Sequence, residues 1–192
     1  MLQTSIQIIH DEHNALSAML RSIGMMMERG PGDERENFFD VLRTMLFYID
    51  EFPERLHHPK ESELLFPRVL RLAPEIAPVI AQLDREHTQG EATVRELQHL
   101  LLAWELVGDT RQAAFEDATK RFLASYLEHM QLEETVVLPA AKRLLSEADW
   151  IELDAAFATN CDPLTGHYPM DPVYAQLFTQ IVTRAPAPIG LG

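Results

Sequence analysis

Residues 57–67 read HHPKESELLFP and residues 129–139 read HMQLEETVVLP. Each stretch holds a histidine, a glutamate four places on, three apolar positions and then a proline. Residues four apart lie one above the other on a helix, so His57 with Glu61, and His129 with Glu133, would each set an imidazole beside a carboxylate. A neutral imidazole and an ionised carboxylate are good ligands for iron, manganese or zinc, and a carboxylate can bridge two ions while the histidine binds one of them. A single His-x-x-x-Glu match means little in a chain with eight histidines and abundant glutamate; an ordinary polar helix face is the plain alternative. The recurrence of the whole frame separates this pair from coincidence.

A second echo lies elsewhere. Ile9-His10-Asp11-Glu12-His13 and Leu83-Asp84-Arg85-Glu86-His87 each place an apolar residue four before a histidine and a glutamate directly before it. The order along the chain is then His13, His57 with Glu61, His87, and His129 with Glu133. For His13 and His87 the plain alternative is a core-edge histidine bonded to a neighbouring helix. Glu12 and Glu86 adjoin the proposed ligands, so they point elsewhere around the helix and are expected to be surface charges. His99 and His167 are expected at the surface.

These side chains need elements to carry them. Strand signals are nearly absent and helical periodicity is strong. From Thr4, the positions Ile8, Ile9, Leu16, Met19, Leu20, Ile23 and Met27 mark one face of a helix that should stop at Gly30-Pro31-Gly32. A second helix is predicted from about Asp33, with Phe38, Val41, Leu42, Met45, Phe47 and Ile49 inward. Pro53 and Pro59 should kink it or force a restart before Leu64–Leu72, and Pro59 lies inside the His57–Glu61 step. A third helix should run from about Pro74 to Val107, ending at Gly108, and a fourth from about Arg111 to Leu145. Four long amphipathic helices with short connections predict an all-α, up-down-up-down four-helix bundle over residues 1–146. Residues 147–185 form a helical extension, with Val173, Leu177, Phe178, Ile181 and Val182 on one side of its last helix. It packs on the bundle or meets a partner chain, as in a homodimer. Residues 186–192 are a Pro/Gly tail expected to be flexible.

The ordered set His13, His57-x-x-x-Glu61, His87, His129-x-x-x-Glu133 resembles the hemerythrin-like, or HHE cation-binding, family over roughly residues 4–146. The resemblance implies a hemerythrin-like bundle around a non-haem di-iron centre, with two iron ions joined by an oxo or hydroxo group. It implies that Glu61 and Glu133 bridge the ions and that the four histidines are terminal ligands, His13 and His57 on one ion, His87 and His129 on the other. Oxygen-carrying hemerythrins use five histidines, two of them four apart on the third helix. Here the positions four from His87 are Leu83, which cannot bind metal, and Glu91. Glu91, His58 and His10 are the candidates to replace the missing ligand. Fewer protein ligands would leave positions open to water, dioxygen, nitric oxide or peroxide. That favours sensing or redox reactivity over simple oxygen carriage.

Other chemistries fit less well. Ferritin-like di-iron proteins use Glu-x-x-His, which occurs as Glu54–His57 and Glu96–His99, but that reading leaves His13, His87, His129 and Glu133 unused. Met25–Met27 reads as adaptable packing. Cys161 has no partner residues for nucleophilic work and no second cysteine for a disulfide, which fits a reducing, cytoplasmic setting. A net charge of -14 argues against nucleic acid and anionic membranes, and no apolar stretch is long enough to span a bilayer. The expectation is a metal protein that binds or senses a small diatomic, O2 or NO, or handles iron under oxidative or nitrosative stress. Two alternatives are a di-iron enzyme that turns over peroxide or NO or repairs iron centres, and an interaction bundle whose metal is incidental.

Overall fold

Amphipathic stripes without strand formers can be buried only helix against helix. A computed structural model describes residues 4–166 and 172–191, and every regular element among them is helical. Helix α1 spans Thr4–Arg29 and α2 spans Arg35–Ile49. The chain continues through α3 (His58–Lys60) and α4 (Phe66–Leu72) to α5 (Ala77–Val107), α6 (Gln112–Leu132) and α7 (Leu138–Leu144). Two further helices follow, α8 (Glu147–Phe157) and α9 (Ala175–Arg184). Gly108, at φ 99° and ψ -171°, takes an extended positive-φ conformation open to glycine, and it ends α5.

The prolines do not stop their helices. Between α2 and α3, between α3 and α4, and between α6 and α7 the backbone widens into π-helical turns over Asp50–His57, Glu61–Leu65 and Glu133–Val137. A proline lacks an N–H and crowds the carbonyl four residues back. A wider turn relieves that crowding, and neighbouring amides reach five residues back: Phe66 to the Glu61 carbonyl, Leu138 to that of Glu133, His58 to that of Pro53. The break expected before Leu64 is therefore a change of pitch within one rod from Arg35 to Leu72. Such turns are frequent at functional sites.

Around the bundle α1 packs on α2, α2 on α5, α5 on α6, and α6 on α1. The core forms two apolar clusters. One joins Leu16–Met26 of α1 with Phe38–Phe52, Val94–Trp104 of α5, Phe115–Met130 of α6, and Ile181 of α9. The other joins Ile8 and Ile9 with Leu65, Phe66, Ile80, Leu83, Val137 and Leu138, under Trp150 and Phe157 of α8. His13, His57, Glu61, His87 and Glu133 fall in the sequence gaps between the two clusters, and His129 directly precedes Met130, the last residue of the first cluster on α6, so the six lie at one level as a polar layer.

The apolar expectation fails at three positions. Phe47 is 43% exposed, because the 3.6-residue period puts Tyr48 inward instead. On the last helical piece Val173 and Val182 face out, while Phe178 and Ile181 are buried. The extension is tied down by polar contacts as well: Ser5 donates through its amide and its hydroxyl to Asp154 Oδ1 of α8, both at 2.7 Å. After α9, Ser22 Oγ donates to the Pro186 carbonyl at 2.8 Å and accepts from the Ile189 amide at 3.2 Å. His167 lies outside the described residues, and His99 is exposed. No described helix is long and apolar enough to cross a membrane.

Candidate metal centre

The polar layer closes on itself. His57 Nε2 lies 3.2 Å from Glu61 Oε2, and His129 Nε2 lies 3.2 Å from Glu133 Oε1, so both i,i+4 pairs survive the widened turns and Pro59. Across the bundle, His13 Nε2 is 3.3 Å from Glu133 Oε2. His87 Nε2 is 3.6 Å from both Glu61 Oε2 and Glu133 Oε1, and 3.0 Å from His129 Nε2. Two overlapping groups have all their ligand atoms within 4.8 Å of one another: His13, His57 and Glu61, and then Glu61, His87, His129 and Glu133. All six residues singled out in the sequence converge.

Each imidazole is held from behind. The Nδ1 atom of His57 meets Glu12 Oε2 at 2.6 Å, that of His13 meets Glu134 at 3.0 Å, that of His87 meets Ser62 Oγ at 2.8 Å, and that of His129 meets Glu86 at 2.8 Å. These contacts fix each ring so that Nε2 faces the centre, the arrangement that orients and strengthens histidine ligands. Glu12 and Glu86 are thus not the surface charges expected. Each directly precedes a cage histidine, which turns it about 100° around its helix and aims it at the histidine of a neighbouring helix. Ser62 and Glu134 likewise directly follow the cage glutamates. The repeated Glu-His dipeptides were the available signal.

Burial makes this layer costly as it stands. Both oxygens of Glu61, both of Glu133, and His57 Nε2 are buried without a hydrogen-bond partner. Burial works against charge on His129, but Glu133 and Glu86 outweigh it and lift the imidazole to about 9. Burial is likewise overcome at His57 by Glu61 and Glu12, and at His13 by Glu133 and Glu134, so both imidazoles are raised. The metal-free protein therefore keeps protons where a cation would sit. For His129 the stabilisation is full below about 6.5 and is lost as pH rises through about 9. Ligation requires those protons to leave, so cation affinity must instead fall on acidification. We expect the melting temperature of the metal-free protein to decline between pH 7 and 9, and that of the cation-loaded protein to decline only on the acid side. Thermal scans of both forms across that range check this.

A fifth histidine joins one end. His58 is buried and stacks on His87 with ring centroids 4.1 Å apart, and its ligand atom lies within 4.8 Å of those of His87 and His129. Burial and the three neighbouring histidines hold it well below its usual range, so it stays neutral. Of the candidates for a missing ligand, it is the one the fold brings in. His10 is half-exposed beside Glu134, and Glu91 pairs with Arg95 on the surface.

Behind His58 lies a buried trio. Tyr126 donates to Glu54 Oε1 at 2.6 Å, and Glu54 Oε2 meets His58 Nδ1 at 3.1 Å. Burial raises the Glu54 carboxyl to about 7, against the Tyr126 bond. The Glu54 carboxylate fits because residue 90 is glycine: a Cβ there would lie 2.0 Å from Glu54 Oε2. Gly90→Ala, which helps most exposed helices by about 1 kcal/mol, should here cost about 1–3 kcal/mol through a broken buried hydrogen bond. Denaturant unfolding of the metal-free variant reads the sign. A cavity of about 250 Å³ between α5 and α6 runs from this trio and His129 past Gly90 to Glu96 and Arg121 at the surface.

The model of the hemerythrin HHE cation binding domain matches residues 4–141. A curated protein of Haemophilus influenzae, named only as an uncharacterized protein, is 24% identical over 131 residues, covering 67% of this chain and 74% of that one. The family match ends before α8.

Proposed function

This chain belongs to the hemerythrin HHE cation-binding domain family, and we propose that its histidine–glutamate layer holds two iron ions and serves to bind or sense a small diatomic, O2 or NO, or to handle iron under oxidative or nitrosative stress. One observation carries the proposal: the buried oxygens of Glu61 and Glu133 have no hydrogen-bond partner and face imidazole Nε2 atoms whose Nδ1 atoms are already engaged. Leaving four carboxylate oxygens orphaned in a protein core is unfavourable unless a cation takes them up. The donor set of imidazoles and carboxylates suits iron. The alternation of chain ends in the two core clusters supports an up-down-up-down four-helix arrangement around it.

On this reading His13 and His57 hold one ion, His87 and His129 the other, and Glu61 and Glu133 span both. His58 adds a third imidazole beside His87 and His129 and takes the part of the histidine that Leu83 cannot play. Iron there supplies electron transfer and coordination positions open to small molecules. The chain's own contribution is placement: Glu12, Glu134, Ser62 and Glu86 fix the ring orientations, and the two apolar clusters seal the layer above and below. Glu54 and Tyr126 hold a hydroxyl proton on the Glu54 Oε1 axis, beside the cavity. The exposed, unpaired Cys161 fits a cytoplasmic setting.

The cavity supports a second reading, an enzyme that turns over peroxide or NO or repairs iron centres. At about 250 Å³ it exceeds by more than tenfold the ~10–15 Å³ that one water molecule requires. Spectroscopy under controlled gas separates the two. A visible band that forms with O2 or NO and reverses when the gas is removed supports binding. Repeated consumption of peroxide or NO without loss of iron supports catalysis. A spectrum indifferent to all three contradicts both.

A further inference from the structure

We propose that Asn160, in the turn that follows α8 and outside the family-matched residues, is a positioning residue for His57. This rests on the two-ion reading above. Asn160 is buried, and its Nδ2 donates to Glu12 Oε2 at 2.9 Å. That same oxygen meets His57 Nδ1 at 2.6 Å. The amide cannot be turned round, because Lys60 Nζ donates to its Oδ1. A chain of contacts therefore runs from the C-terminal extension through one carboxylate to a single imidazole of the layer.

The turn is built to present this amide. Cys161 takes φ 48°, a conformation unfavourable for a residue with a Cβ, and remains exposed between two buried neighbours, Asn160 and Asp162. Asp162 anchors the turn independently: its Oδ2 accepts from Tyr48 OH at 2.5 Å and its Oδ1 from the Leu164 amide at 2.9 Å. Phe157, the last residue of α8, lies edge-on to the His57 ring at 6.0 Å. The carboxylates behind His13 and His129 differ. Glu134 and Glu86 reach solvent, at 40% and 30% side-chain exposure, and their polar partners among the described residues, His10, His13, Gln82 and His129, all belong to the bundle. Glu12 is the buried member of the three, so the extension controls one end of the layer and leaves the other alone.

The test uses the full chain loaded with iron(II), and follows release to a strong chelator. Wild-type protein should give up two equivalents. Asn160→Ala, and Asn160→Asp which keeps the shape and the Lys60 contact, should release one equivalent about tenfold faster, the low end for loss of a group behind a ligand, with the other equivalent unchanged. Tyr48→Phe is the control, since it loosens the same turn without touching the Asn160–Glu12 contact; it should leave both phases as in wild type. Unchanged release from both Asn160 variants, or equal acceleration by Tyr48→Phe, overturns the assignment. A wild-type protein that takes up no iron instead overturns the two-ion reading beneath it.

Discussion

Glu61→Ala is expected to reduce bound iron from two per chain to below one. Glu61 is completely buried, lies 3.2 Å from His57 and 3.6 Å from His87, and belongs to both compact ligand groups. Its removal takes a donor from each ion at once, whereas His129→Ala strips one ion of one imidazole and should leave iron below two per chain. Metal analysis of both variants, with helix content checked by circular dichroism, measures this. Full metal and an unchanged spectrum in both would remove these residues from the site.

Removing the metal should produce the second large effect, on stability. In the metal-free protein the oxygens of Glu61 and Glu133 are buried with no hydrogen-bond partner and only nearby imidazoles to offset their charge, His129 among them with its pKa raised to about 9. A cation that binds the folded chain alone stabilises it by about 4 kcal/mol at a thousandfold excess over its dissociation constant. At about 2–4 °C per kcal/mol for a chain of this size, one ion raises the melting temperature by roughly 8–16 °C and two by more. Calorimetry before and after chelation reads the difference. A melting temperature that ignores chelation would mean that the layer holds no structural cation.

Much of this was legible in the residues, for physical reasons. The apolar period of 3.6 fixed the four long helical segments, and the i,i+4 rule put His57 over Glu61 and His129 over Glu133. The ring of contacts around the layer was harder to read. Glu12 and Glu86 look like surface charges because polarity alone does not say which way a residue flanking a ligand is turned. Only the packing of α1 beside His57, and of α5 beside His129, decides it. The prolines misled in another way. Pro53 and Pro59 forbid an ordinary helical bond, yet π turns over Asp50–His57 and Glu61–Leu65 satisfy the backbone while keeping the chain in line. Glu54 was weighed only as a ligand of another metal pattern, since nothing in its neighbours foretells that Gly90, on a different helix, leaves room for its carboxylate. Asn160 lies about 30 residues past the last cage residue, and its contact with Glu12 depends wholly on where α8 docks.

The most direct measurement is elemental analysis, with an absorption spectrum, of protein purified under nitrogen and then aerated. Two irons per chain and a visible band that appears on admission of air are the expected result. Protein that emerges free of metal, melts as it does after chelation, and shows no change in air would contradict the di-iron centre outright.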